Sequence, residues 1–192
     1  MSEILKYVSK KRVNAEGLER FLNNLKHRQR VDATRALPQE AFPWLFEGVK
    51  GFRPVFEEDF VHRGTLAMTP VIHVGTNNLP FFREFNKVMY RQPNGVIAGR
   101  NEQTMEWLTG PGYFIVDPRL GDKGEIAFDY TRLPELCLPK WPKIKSNDSG
   151  FSVFVYRGLI DVMRRVSDHV TVGRAFRGGK PLSNYFILVR KS

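Results

Sequence analysis

Thiols are nearly missing from this chain: Cys137 is the single cysteine in 192 residues. It has no partner for an internal disulfide and no second thiol to share a zinc site, which excludes a disulfide scaffold and dithiol redox chemistry. It reads instead as a small, half-buried residue. Long apolar runs are missing too. No stretch approaches the roughly 20 residues that a helix needs to span a bilayer. The opening MSEILKYVSKKR lacks the apolar core and small-residue cleavage site of a secretory signal. A soluble, cytoplasmic protein is the expectation. Histidine is scarce: His27, His62, His73 and His169 show no HxH or HExxH spacing, so no metal site is expected. A lone axial haem ligand or general base is the most that His62 or His73 offers. No serine sits in a GxSxG elbow, no Gly-rich loop leads into Lys-Ser/Thr, and RNP-like, KH-like and zinc-finger patterns are missing. No cofactor is implied.

What is there suits one globular domain over residues 1–192, with 42% hydrophobic and 26% charged residues. The net charge of +10 is uneven. Residues 1–35 hold nine Lys/Arg against four acids, residues 157–192 hold eight against two, and the middle is near neutral. A closed sheet that brought the two ends together would merge them into a basic surface.

Periodicity divides the chain. NAEGLERFLNNLKHRQR, residues 14–30, opens on an N-capping Asn14 and spaces Leu18, Phe21, Leu22 and Leu25 as an amphipathic helix. A second helix is expected in 38–49, shortened by Pro43, and a third in 79–90, where Phe81, Phe82, Phe85, Val88 and Met89 recur at helical spacing. DFVHRGTLAM and VIHVG read as one or two strands. From about residue 94 the period is two: QTMEWL, GYFIVD, EIAFDYT, FSVFVY, GLIDVMRRV, HVTVGRAF and NYFILVR are short β-rich runs separated by turn residues. In FSVFVY adjacent Phe154 and Val155 point to a strand covered on both faces. Gly110-Pro111-Gly112 joins two such runs and lacks the features of a phosphate loop, so it reads as a strand-turn-strand corner. Residues 133–150, with Pro134, Pro139 and Pro142 around Trp141, form a long loop and a candidate lid.

The pattern predicts an α+β protein: a helical segment over 1–50 packed on or capping an antiparallel β-barrel of about eight strands over 55–192. Acids interrupt the apolar strands at Glu106, Asp129 and Asp161. Buried, each would need a partner such as Arg100, Arg165, Arg174 or Arg190.

Ile160-Asp161, Arg164-Arg165, Val172-Gly173, Tyr185-Phe186 and Leu188-Val189-Arg190, within residues 158–190, resemble the closing strands of calycin-type barrels. They are most similar to the small lipocalin-like, ligand-binding domains of uncharacterised bacterial proteins. The resemblance implies a barrel with an internal cavity for an apolar or amphipathic small molecule, such as a lipid. The Gly-x-Trp of true lipocalins is missing, and no functional residue is carried over.

Three functions stay open on the sequence. The first is binding of a small apolar or amphipathic, possibly anionic, ligand lined by Trp107, Tyr113, Phe128, Tyr130, Phe154 and Tyr156, with Arg100 and Arg174 as anion partners. The second is a cavity enzyme, an isomerase, cyclase or hydrolase, using Asp129, Glu106 or His73 as acid or base. The third is a basic adaptor that binds nucleic acid or anionic membrane through residues 1–35 and 157–192.

Overall fold

A computed structural model describes residues 2–81, 83–102, 110–144 and 156–191. Eight strands close into an up-and-down barrel: β1 (Val71–Asn77), β2 (Glu84–Arg91), β3 (Ile97–Glu102), β4 (Tyr113–Asp117), β5 (Ile126–Asp129), β6 (Leu159–Ser167), β7 (Val170–Arg177) and β8 (Lys180–Arg190). Each pairs antiparallel with the next, and β8 returns to β1 with Leu188 opposite Gly75. Closure leaves no sheet edge to be paired or protected. Among the described residues no helix is long and apolar enough to cross a membrane.

Three helices precede the barrel: α1 (Ala15–Asn23), α2 (His27–Arg35) and α3 (Ala41–Gly48). Asn14 caps α1 as expected, its Oδ1 accepting the Gly17 N–H at 3.0 Å. The single helix expected over 14–30 is two. The break is held by Arg30, which donates from Nε to the Leu22 carbonyl (3.0 Å) and from Nη2 to the Leu25 carbonyl (2.7 Å), satisfying acceptors that the end of α1 leaves open. Pro43 sits in the first turn of α3, where its missing N–H has no helical partner to lose. The helices lie against the outside of β6 to β8. Leu18, Leu22, Val31, Phe42 and Phe46 pack with Val166, Val172, Ile187 and Val189 into one core, so these strands are buried on both faces. Of FSVFVY, residues 151–156, expected as a doubly covered strand, 151–155 lie outside the described residues, and Tyr156 is buried but not in a strand.

The helix expected over 79–90 is overturned: residues from Glu84 onward form β2. Its inner face carries Phe85, Lys87 and Met89, while Tyr90 faces outward with Ala98, Ile115 and Leu138. Because both faces are covered, apolar residues on the two sides mimic helical spacing. DFVHRGTLAM is not a strand either. Glu57–Asp59 make a short 3-10 helix, and Phe60 and Val61 after it plug one end of the barrel, the Phe60 ring meeting Phe128 edge-on at 5.0 Å.

The described part of the Pro-rich loop, up to residue 144, straps the outer wall rather than covering an end. Trp141 packs on Tyr90 and Tyr113, and the hydroxyls of those tyrosines donate to the carbonyls of Leu136 and Pro142.

Candidate functional site

The interior is filled at the plugged end and open at the other. Between the β1–β2 and β7–β8 hairpins lies a cavity of about 160 Å³, walled by Phe85, Tyr156, Leu159, Ala175, Leu182 and Phe186. That volume equals the share of about five waters in the liquid, and apolar cavities of about 150 Å³ elsewhere accept benzene.

Polar groups meet at its floor. Lys87 on β2, Asn101 on β3, Tyr130 after β5 and Asp161 on β6 all line the cavity. Lys87 Nζ donates to Asn101 Oδ1 at 2.8 Å, to Asp161 Oδ2 at 3.2 Å and to the Tyr130 hydroxyl. The Tyr130 hydroxyl in turn donates to Asp161 Oδ2 at 3.2 Å and accepts from Asn101 Nδ2 at 3.2 Å. The Lys87 and Asp161 side chains are only 3% and 5% exposed.

Aromatic rings complete the setting. Nζ of Lys87 lies 4.9–5.8 Å from the ring centres of Phe85, Phe114, Phe128, Tyr130 and Phe186. Tyr156 stacks on Tyr130 with ring centres 5.3 Å apart and planes nearly parallel. Small residues make room: a Cβ on Gly75 would stand 2.5 Å from the Phe85 ring, and one on Gly112 would stand 2.4 Å from that of Tyr156. Gly110-Pro111-Gly112 is not itself the corner between strands: it runs alongside the end of β3, the Pro111 carbonyl accepting the Asn101 N–H at 3.2 Å, and the missing Cβ of Gly112 lets Tyr156 lie over Tyr130.

Burial dominates the titration of the quartet. Desolvation holds the Lys87 ammonium below its ordinary pKa and the Asp161 carboxyl above its own, each opposed by the attraction between them. Desolvation also lifts the Tyr130 hydroxyl well above the usual phenol, with the Asp161 charge adding to it. Paired, Lys87 and Asp161 carry no net charge, so the floor is polar but neutral.

The residues singled out from the sequence are scattered. Tyr130 and Tyr156 line the cavity, and Phe128 supplies a ring over Lys87. Tyr113 and Arg100 lie on the outer wall, where both contact Trp141, the guanidinium at 4.6 Å from its ring centre. Arg174 faces α3 and the strand edge, donating to the Leu182 carbonyl at 3.0 Å and lying 5.0 Å from the Tyr185 ring. Asp129 accepts from the Thr131 N–H and hydroxyl at 2.8 and 2.6 Å. His73 is inside the barrel beside Lys87 in register, below the cavity, with Nε2 3.0 Å from the Phe60 carbonyl. Its burial lowers its pKa to about 4. Glu106, Trp107 and Phe154 lie outside the described residues. Asp161 is buried and paired as its place among apolar residues implies, but its partner is Lys87 rather than an arginine.

Lys87 and Asn101 were missed, because β2 reads as a helix and β3 was not read as a strand. The signal was present in FxKxM, residues 85–89, an inward lysine between two inward apolar residues once period two is applied.

Several cations of the basic ends are engaged internally. Arg164 pairs with Glu125 and reaches the Phe46 carbonyl, Arg165 bridges Asp59 and Asp168, and Arg190 donates to the carbonyls of Glu58 and Asp168.

With the site in view, comparison with known proteins adds no relative: no family model matches the chain, and no curated protein or solved structure does.

Proposed function

We propose that the protein binds a small, mostly apolar molecule bearing one polar group inside the barrel, in the manner of a lipocalin-like carrier. One observation carries this reading: an open, aromatic-walled cavity ends on a cluster of four hydrogen-bonding side chains that nothing in the apolar core requires. Ligand sites combine apolar walls with a few convergent polar groups in this way.

The chemistry of the floor narrows the ligand. A carboxylate at the floor would bring a second negative charge next to Asp161, and Arg100 and Arg174, the expected anion partners, face away from the cavity; Arg177 lines it but is not part of the floor cluster. A neutral oxygen, as in an alcohol, aldehyde, ketone or amide, fits the Asn101 amide donor without that cost. The basic-adaptor reading draws less support, since Arg164, Arg165 and Arg190 already hold internal partners.

The test fills the cavity. For 3-phenylpropan-1-ol, about ten non-hydrogen atoms at roughly 0.5 kcal/mol each correspond to a Kd of about 0.2 mM, within reach of ligand-observed NMR. Ala175→Trp, which occupies the wall, is expected to abolish binding while far-UV circular dichroism stays unchanged. Equal binding by a folded Ala175→Trp protein overturns the reading.

A further inference from the structure

We propose that Lys87 captures an aldehyde or ketone as a covalent imine at the cavity floor, making the barrel a reversible covalent carrier of carbonyl compounds. The proposal rests on the ligand reading above and specifies its chemistry.

An amine adds to a carbonyl only as its free base. An exposed lysine, with a pKa near 10.4, is deprotonated in only about 0.04% of molecules at neutral pH. Lys87 differs in two respects. Its proton has an acceptor already in contact, Asp161 Oδ2 at 3.2 Å, and both groups are buried together beside the cavity. Desolvation acts on the two in opposite senses, and each effect favours moving the proton from nitrogen to oxygen.

The step balances within the quartet. The ammonium of Lys87 gives its proton to Asp161, leaving a neutral amine and a carboxylic acid. The nitrogen lone pair forms the C–N bond as the carbonyl π pair moves onto oxygen. The Tyr130 hydroxyl, in contact with Nζ, gives that oxygen a proton and regains one from the nitrogen, yielding the neutral carbinolamine. The C–O bond then breaks, with Asp161 returning its proton to the departing hydroxyl, which leaves as water. The nitrogen lone pair forms C=N. Ammonium plus carbonyl compound has become protonated imine plus water, with no oxidant or reductant required. The product's positive charge stands where the ammonium's stood, against the Asp161 carboxylate and among five aromatic rings 4.9–5.8 Å from Nζ. The site therefore complements the product as well as the free lysine.

The probe is 3-phenylpropanal, incubated with the whole protein at neutral pH in the presence of sodium cyanoborohydride, followed by digestion and mass mapping of every lysine. The expected result is reductive alkylation at Lys87 at least about tenfold above any exposed lysine, since the buried amine sits against both its proton acceptor and the cavity. Lys87→Arg is expected to remove that adduct, and Asp161→Asn to slow its formation. The wild-type map is decisive by itself, so the test survives a variant that fails to fold. Alkylation confined to exposed lysines, while 3-phenylpropan-1-ol still occupies the cavity, overturns the imine and leaves the binding reading standing. Failure of both aldehyde and alcohol to enter overturns both.

Discussion

Replacing Lys87 by methionine while leaving Asp161 in place tests whether the polar floor acts as a coupled unit. At 3.2 Å and an effective dielectric constant of about 20, the attraction between the two charges is about 5 kcal/mol. Losing one partner of a buried pair costs roughly 3–5 kcal/mol, because the other is left charged in a poor solvent or must change protonation. Asn101 and Tyr130 lose a hydrogen-bond partner as well. We expect Lys87→Met to lower unfolding stability by about 4 kcal/mol, and Asp161→Leu to do nearly the same. With a urea m-value of about 2 kcal/mol/M, each midpoint falls by about 2 M.

The double variant distinguishes coupling from simple packing. Lys87→Met/Asp161→Leu removes both charges, and apolar replacement of a buried pair is typically neutral or stabilising. It should therefore return to within about 1–2 kcal/mol of wild type, giving a coupling energy of about 6–7 kcal/mol. Acidity supplies a second reading. In Lys87→Met the buried Asp161 loses its cation, so its folded pKa stands further above the unfolded value near 3.9. Such a group's stability is fully present below the unfolded pKa and lost as pH rises through the folded one. The deficit of Lys87→Met should thus be smaller near pH 4 than near pH 7. Single variants whose losses add within about 0.5 kcal/mol in the double, with a deficit independent of pH, would refute the reasoning.

Two further outcomes follow from neighbouring residues. His73, buried and held near pKa 4 against an unfolded value near 6.5, contributes stability above pH 6.5 that is lost as pH falls toward 4, about 3 kcal/mol in all; His73→Leu should flatten urea stability over that range, and an unchanged slope would show that the histidine is not buried neutral. Gly112→Ala places a Cβ 2.4 Å from the Tyr156 ring at a φ of +53°, so it should cost about 2–3 kcal/mol and weaken 3-phenylpropan-1-ol binding, whereas in a Tyr156→Ala background, which lacks the clash, the same substitution should cost only about 1 kcal/mol of backbone strain.

The parts of the fold legible in the sequence were those that carry a local signal. Asn14 announced α1 through its cap, and β6 to β8 were recognisable from β-branched runs between tight turns. The barrel and its approximate strand number followed. β2 and β3 escaped because they lack the β-branched runs that mark β6 to β8, Val88 and Ile97 being their β-branched residues, and because Phe85 and Met89 face inward while Tyr90 faces outward, so apolar residues on both faces blur the alternation. Misreading that segment hid Lys87, the centre of the site. Asp161 was visible as an acid among apolar residues, but its partner is 74 positions away along the chain, and only strand closure brings the two together. Aromatic residues were found by type and not by side: Tyr113 and Tyr130 look equivalent in sequence, yet one faces the Trp141 strap and the other the cavity.

The energetics of the interior bear on why such a floor exists. A barrel of eight strands is just narrow enough for side chains to fill, and the plugged half of this one is filled by Phe60, Met89, Ile97, Phe114, Val116, Ile126 and Phe128. Continuing that packing upward would be the more stable solution, since a buried ion pair repays its desolvation poorly compared with apolar residues of similar volume. Instead the chain departs from it twice at one level: it buries Lys87 with Asp161, and it leaves about 160 Å³ open directly above them. Each departure alone is destabilising, the void through lost contacts and the pair through lost hydration. Together they form a surface whose apolar walls and polar base are both incompletely satisfied, and a ligand with an apolar body and one neutral oxygen relieves both deficits at once.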